Sequence, residues 1–237
     1  MKTPKYKRIL LKLSGEALAP ADGSSILDFD FIAKVAKQVK RCVEMGVQVG
    51  IIVGAGNIWR GRQGTEMDRC RADHMGMLAT AINSLGLQDV FIREGMDTVV
   101  MTAVEMKAYA DAYNSRDAIR ALESGKVVIF GCGLGTPFFS TDTAAVLRAA
   151  EIGADCILMA KNIDAIYSAD PKKDPAAIRY SDVTYRQILD ENLRALDMTS
   201  AIFCMDNDIN GYAFGLADPE NIYRVVMGEA VGTAIHN

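Results

Sequence analysis

The chain of 237 residues is half apolar and 24 % charged, which excludes an intrinsically disordered protein, and its 20 glycines and 6 prolines are too few for a fibrous chain. With 26 basic and 30 acidic residues the formal net charge is −4, which argues against binding to nucleic acid or to an anionic membrane surface. Five widely spaced cysteines without a CxxC pair are typical of the reducing cytosol. Two histidines, His74 and His236, argue against a zinc site or a Ser-His-Asp triad. We expect a soluble cytoplasmic protein without a membrane span or a secretion signal.

Apolar runs alternate with segments of helical period, a pattern typical of a mainly parallel sheet between two layers of helices. The expected fold class is a three-layer α/β/α sandwich. The predicted strands are short, rich in Val, Ile or Leu, and cover residues 8–13, 47–53, 98–102, 126–131 and 155–160. One helix is predicted to start at Asp28 or Asp30 and to stop at Gly46. Another is capped by Thr141 and stops at Gly153.

Residues 73–87 read DHMGMLATAINSLGL, and apolar side chains occupy nearly every side of the helix they predict. Two interpretations remain open. The segment is either a helix buried in the core, or a helix with one face on its own sheet and the other on a second subunit.

The chain after residue 160 has a less regular pattern. Asp170-Pro171 and Asp174-Pro175 predict turns, followed by a helix near 197–205, a strand near 212–216 and a terminal segment over 225–235. No repeat, linker or low-complexity tract interrupts the sequence, so a single domain is expected over 1–237.

Three glycine-bearing loops follow predicted strands, where an open α/β sheet binds its ligands. In the first, Lys12 interrupts an apolar strand just before Ser14-Gly15, which directs a cation toward the loops. The alternative is a strand-end lysine that extends its amino group into solvent.

The second loop, residues 54–61 (GAGNIWRG), offers backbone N–H groups and the Arg60 guanidinium to phosphate oxygens. Trp59 stands where a dinucleotide fingerprint needs glycine, and Gly125-Lys126 lacks the first glycine of a Walker A loop. A tight turn would explain the glycines but not Arg60.

The third loop, residues 131–143, combines hydroxyls, amides and two aromatic rings at the start of a predicted helix, which suits a nucleobase and a sugar. Asp142 either takes part in chemistry there or only stabilises the first helical turn.

With these loops the whole chain resembles the bacterial-type uridylate (UMP) kinases of the amino-acid kinase superfamily. The resemblance rests on four motifs: residues 12–16 (KLSGE), 54–61 (GAGNIWRG), 73–80 (DHMGMLAT) and 135–142 (GTPFFSTD). It implies an amino-acid kinase-like fold, with an acceptor part over residues 1–155 and an ATP part over residues 156–237. It also implies ATP-dependent phosphorylation of UMP to UDP in pyrimidine nucleotide biosynthesis, assisted by Mg²⁺, in an allosteric homohexamer inhibited by UTP. No metal ligand of the protein's own is implied.

The resemblance also implies roles for individual residues. Lys12, Arg60 and Asp142 take part in the transfer, with Arg60 bridging the phosphates of donor and acceptor and Asp142 orienting Lys12. The implied ATP-binding residues are Lys12, Leu13, Ser14, Gly15, Gly56, Arg60, Asn162, Tyr167 and Asp170. The implied UMP-binding residues are Ala55, Asp73, Leu134, Gly135, Thr136, Pro137, Phe138, Phe139, Ser140 and Thr141, among which Asp73 accepts from the ribose hydroxyls.

The chain departs from the family pattern at Ala55 and Ala165, which replace glycines, and in the segment 161–167, which is one residue shorter than in many relatives. Val99 stands where some relatives carry a basic residue for GTP, so weak or absent GTP activation is predicted. The alternative functions are a non-catalytic nucleotide-binding or storage homologue and a carbamate or acetylglutamate kinase. Lys12, Arg60 and Asp142 argue against the first, and Asp73 with residues 138–141 (FFST) argues against the second.

Overall fold

The computed structural model describes residues 3–59, 66–193 and 195–237. The strands in these ranges are β1 (Arg8–Leu13), β2 (Gln48–Val53), β3 (Thr98–Thr102), β4 (Asp111–Ala112), β5 (Val127–Gly131), β6 (Cys156–Lys161), β7 (Ile166–Tyr167), β8 (Arg179–Tyr180), β9 (Asp182–Thr184), β10 (Gly211–Gly215) and β11 (Thr233–His236). The helices are α1 (Phe29–Glu44), α2 (Arg69–Arg93), α3 (Ser115–Glu123), α4 (Thr141–Ile152), α5 (Tyr185–Asp190), α6 (Met198–Asp206) and α7 (Glu220–Val226), with a 3-10 turn at Gly15–Leu18.

Nine of the described strands form one sheet in the order β4-β3-β5-β2-β1-β6-β10-β11-β9. Neighbours from β4 to β10 run parallel, whereas β11 is antiparallel to β10 and carries β9 parallel to itself. The strands β7 and β8 form a separate antiparallel pair. The prediction of a mainly parallel sheet is confirmed.

Apolar side chains cover both faces of the sheet. Along β1, Ile9 and Leu11 belong to the core shared with α1, α2 and α7, whereas Leu10 belongs to the core shared with α3, α4, α5 and α6. This alternation follows from the two-residue repeat of a strand. The sheet therefore lies between two helical layers, as predicted. Helices pack on both faces of the strands whose carboxyl ends form one edge of the sheet.

Helix caps fix two of the predicted boundaries. Asp28 rather than Asp30 starts α1, because its carboxylate accepts from the Phe31 amide at 2.9 Å. Thr141 was the wrong cap for α4: the cap is Ser140, whose extended backbone lets Oγ accept from the amides of Asp142 and Thr143 at 3.0 and 3.2 Å. The helix ends at left-handed Gly153, as expected.

Helix α2 is buried on one side only, so its interpretation as a helix buried in the core is wrong. It packs on β2, β3, β5 and α1, yet the opposite side exposes 51 % of Leu78 and 47 % of Ile82. Its other large exposed apolar residues are Met75, Leu85 and Ile92. By length and hydropathy α2 is also the one helix of the described ranges that could cross a membrane, but its contacts make it part of a helical layer over the sheet.

Candidate active site

The candidate active site lies at the carboxyl edge of the parallel strands, where an α/β sheet places ligands. The loops after β1, β2, β5 and β6 meet there, and two cavities of about 650 and 390 Å³ open among their residues. Lys12 lines the larger cavity and Thr141 lines the smaller one. The ion pair between Lys12 and Asp142, the residue after Thr141, therefore lies where the two cavities approach each other.

The larger cavity has a positively charged lining. Lys12, Lys161, Lys172 and Lys173 face it together with one carboxylate, Asp170. Such a balance attracts a polyphosphate, because several cations spread over one cleft lower the energy of an anion in it. Of the residues predicted to bind ATP, five line this cavity: Lys12, Ser14, Asn162, Tyr167 and Asp170.

The other predicted ATP residues lie elsewhere. Leu13 is fully buried in the core, so only its backbone is available to a ligand. Gly15 is buried against the Gly54 carbonyl oxygen, with which a Cβ would collide, so glycine is needed for this close approach of two loops. Gly56 lines the smaller cavity. Arg60 lies outside the described residues, and its role stays a prediction.

The loop after β2 is held by a pair of side-chain amides, the buried Asn83 and the partly buried Asn57. Asn57 and Asn83 exchange two hydrogen bonds of 2.9 and 2.8 Å, and Asn83 also donates to the Gly54 carbonyl at 2.8 Å. Trp59 donates from Nε1 to the carbonyl of Ala72 at 2.9 Å. These contacts attach the glycine loop to α2, so that the loop is positioned before any ligand arrives.

The smaller cavity has a mixed lining of hydroxyls, two aromatic side chains (Trp59 and Phe139), two carboxylates (Glu16 and Asp73) and the guanidinium of Arg69. It contains seven of the residues predicted to bind UMP: Ala55, Asp73, Leu134, Thr136, Phe139, Ser140 and Thr141. Gly135, Pro137 and Phe138 belong to the same loop but do not line the cavity, and the Phe138 side chain is 63 % exposed.

Asp73 connects α2 to the loop after β5. Its Oδ2 accepts from the Phe138 amide at 2.8 Å and from Arg69 Nε, also at 2.8 Å. Phe138 has a φ of 74°, a left-handed conformation that costs a phenylalanine about 1–3 kcal/mol and persists only where neighbours enforce it. The Arg69 guanidinium lies 5.3 Å from the centre of the Phe138 ring. Both hydrogen bonds use one carboxylate oxygen, which suits a second role for Asp73 toward a ligand.

The Lys12–Asp142 ion pair has an Nζ–Oδ1 distance of 2.8 Å, and the two side chains are only 14 % and 23 % exposed. Asp142 lies in the first turn of α4, whose cap is supplied by Ser140. The Ser140 hydroxyl donates in turn to Asp197, which caps α6 and accepts from Thr143 Oγ1 at 3.2 Å. The start of α4 is thus fixed, and Asp142 holds Lys12 in a defined position.

Lys161 and Arg69 are among the cavity residues that were not predicted from the sequence. Lys161 is the last residue of β6 and Lys12 is the last but one of β1, each after an apolar stretch of strand, and this repeated pattern was the available signal. Arg69 lies one helical turn before Asp73, a spacing that favours an ion pair on a helix.

The match to known proteins extends over nearly the whole chain. The model of the amino acid kinase family matches residues 7–212. The UMP kinases of Bacillus anthracis and Ureaplasma parvum each have 36 % sequence identity and a TM-score of 0.93, covering 98 % of this chain and 96 % and 100 % of theirs. A uridylate kinase from Archaeoglobus fulgidus has 27 % identity and a TM-score of 0.73, covering 96 % of this chain and 99 % of its own. The chain therefore belongs to the amino acid kinase family.

Proposed function

We propose that this chain transfers the γ-phosphate of ATP to UMP, forming UDP and ADP for pyrimidine nucleotide biosynthesis. The observation that carries the proposal is the pairing of two unlike cavities at one lysine–aspartate pair. The larger cavity is lined by lysines and suits a triphosphate, and the smaller offers hydroxyls, a ring and a carboxylate to a nucleoside. The likeness to solved UMP kinases over nearly the full length of both chains supports the same activity.

The chemistry needs no general base. A phosphate monoester has its second pKa near 6, so UMP already presents a nucleophilic oxyanion at neutral pH. That oxygen attacks the γ-phosphorus, the bond from phosphorus to the β,γ-bridging oxygen breaks, and its electron pair stays on ADP. Lys12 stabilises the charge that spreads over the transferred group, and Asp142 aims Lys12 through the 2.8 Å ion pair. We also propose Arg60 as a bridge between donor and acceptor phosphates.

The smaller cavity would take the acceptor nucleoside. Phe139 offers a ring beside the uracil, while Thr136 and Thr141 offer hydroxyls to its polar edge and Ser140, which lines the cavity, holds the start of α4 in place. Asp73 would accept from the ribose hydroxyls while its Oδ2 retains the Phe138 amide. This arrangement links recognition of the sugar to the shape of the loop that surrounds the base.

Mg²⁺ would arrive with ATP. No group of three or more His, Cys, Asp or Glu suited to a metal occurs among the described residues. Mg²⁺ is commonly bound by one or two carboxylates together with substrate phosphates, and Asp142 and Asp170 fit that limited role. When bound, the ion would neutralise charge on the phosphates.

We further propose a cytoplasmic homo-oligomer, a hexamer by family resemblance, that binds neither nucleic acid nor membrane. Its subunits would meet through the exposed apolar residues of α2, which recur at intervals of three and four residues: Met75, Leu78, Ile82 and Leu85. UTP would inhibit by binding through the loop that takes UMP.

An acceptor comparison tests the proposal. Formation of ADP from Mg·ATP is followed by a coupled assay with UMP, CMP or carbamate as acceptor. We expect UMP to give the highest kcat/KM by a wide margin. Preference for carbamate would indicate a related small-molecule kinase. Binding of nucleotides without turnover would indicate a non-catalytic homologue.

A further inference from the structure

A second lysine shares the position of Lys12 at the edge of the sheet. In the parallel pairing of β1 with β6, Lys12 lies opposite Met159, and Lys161 follows two residues later. Leu10, Ile157 and Met159 all belong to the core beneath α3 to α6. Because side chains alternate along a strand, Lys12 and Lys161 extend toward the same side of the sheet, the side on which α4 carries Asp142.

The ammonium group of Lys161 lies in a crowded, positively charged environment, although the residue as a whole is partly exposed. Burial lowers the pKa of Lys161, Asp142 raises it and Lys12 lowers it. Among the described residues, two cations act on this corner together with one carboxylate, which leaves a net positive charge. A buried excess charge is costly unless a partner of opposite charge completes it.

One contact fixes the ammonium group. Within the described part of the chain, Lys161 Nζ makes one hydrogen bond, which it donates to the carbonyl of Ala195 in the turn between α5 and α6. An ammonium group has three N–H donors. The contact therefore aims the group while leaving donors for an acceptor in the larger cavity, which Lys161 lines.

We infer that Lys161 is a second phosphate-binding cation, which donates to the phosphates of the nucleotide in the larger cavity while its bond to Ala195 holds it in place. The inference rests on the proposed function, because it assigns that cavity to the donor nucleotide. A solely structural lysine would serve only to attach the turn between α5 and α6 to the sheet. Removal of the lysine charge would lower the affinity for ATP if Lys161 binds phosphate. If its role is solely structural, removal of the charge would change only the stability of the fold.

The test compares the full chain with Lys161→Met, Lys161→Gln and Lys161→Arg, using Lys37→Met on the exposed side of α1 as the matched control. The affinity for Mg·ATP is measured by calorimetry without UMP, and the affinity for adenosine by competition. Thermal unfolding and kcat are measured on the same preparations. Gln retains an N–H donor for the Ala195 carbonyl, so it decides the question if the Met variant does not fold.

For Met and Gln we expect ATP affinity and kcat to fall by about tenfold or more, since each loses a charge-assisted hydrogen bond to phosphate. Adenosine affinity and Tm should stay at the wild-type values or rise, and Arg should recover part of the ATP affinity. Folded Met or Gln variants with ATP affinity and kcat within twofold of wild type would overturn the inference, whatever their Tm. If wild type binds ATP through Lys161 but makes no UDP, only the proposed function fails. If it makes UDP and the variants bind ATP normally, only this inference fails.

Discussion

Asp142 is the residue whose two interpretations the structure separates best. Ser140 already caps α4, so Asp142 contributes to the helix only through the dipole, about 0.3–1 kcal/mol. Its carboxylate instead holds Lys12 at 2.8 Å. We therefore expect Asp142→Asn to lower kcat by about 100-fold, the scale of an electrostatic group in a transfer site, with little change in Tm.

Tm and kcat of Asp142→Asn are measured on one preparation, beside Ser140→Ala as the stability reference. The Ser140 variant loses the cap and should lose about 1 kcal/mol of unfolding free energy. A normal kcat with a lowered Tm in Asp142→Asn would leave Asp142 a helix residue only.

Substitution of Asp73 should raise KM for the acceptor, UMP, more than KM for the donor, ATP. A carboxylate accepts from both vicinal ribose hydroxyls while retaining the Phe138 amide, whereas an amide has a single accepting oxygen. We expect Asp73→Asn to raise KM for UMP about tenfold and to leave KM for ATP nearly unchanged. Steady-state measurement of kcat and KM for both substrates tests this expectation. The control is Asp89→Asn, which changes an exposed carboxylate on the same helix. An equal rise in both KM values would contradict this assignment.

The sequence placed many of these residues but not their partners. Lys12, Asp73 and Asp142 were recognised because each stands in a local motif, and they do line or adjoin the cavities. Lys161 was missed because only the pairing of β1 with β6 brings it near Lys12. The cap of α4 was misplaced by one residue, since serine and threonine both cap helices and only the backbone angles at Ser140 distinguish them.

Among the elements of the fold, the exposed apolar side of α2 predicts that subunits associate through this helix. Exposure of these apolar side chains to water is unfavourable, and a second subunit that covers them explains why they cluster on one side of α2. We expect Ile82→Asp to dissociate the oligomer, because it places a charge within that apolar surface. Light scattering at micromolar concentration measures the mass, and Ile178→Asp, at another exposed isoleucine, is the matched control. A wild-type monomer, or an unchanged mass of Ile82→Asp, would refute the interface.

The central strands were predictable and the edge strands were not. The predicted strands 8–13 and 98–102 agree with β1 and β3 without a shift, and the other three differ by one residue. These strands are buried on both faces over most of their length, so apolar residues predominate in them and polar ones stand mainly at their ends. In contrast β4, β8 and β9 have two or three residues, most of them partly or fully exposed, and they form only because a neighbouring strand offers hydrogen bonds.

For the molecule as a whole, we expect UTP and GTP to affect the activity differently. UTP should inhibit competitively with UMP, because both present uracil to residues 134–141. GTP should activate weakly or not at all, since Val99 is a partly buried residue of β3 and supplies no charge to a triphosphate. Initial rates at fixed UMP and ATP with each nucleotide added measure both effects. Several-fold activation by sub-millimolar GTP would show the second expectation to be wrong.

Transfer of the γ-phosphate from ATP to UMP can be followed with a labelled phosphate. The purified chain is incubated with UMP and Mg·ATP labelled on the γ-phosphate with ³²P, and the products are separated. We expect the label to appear in the β-phosphate of UDP. The Lys12→Ala variant, shown to be folded by its thermal unfolding transition, should form labelled UDP at least about 100-fold more slowly. Label that stays in ATP or passes only to water, or an equal rate in Lys12→Ala, would contradict this expectation.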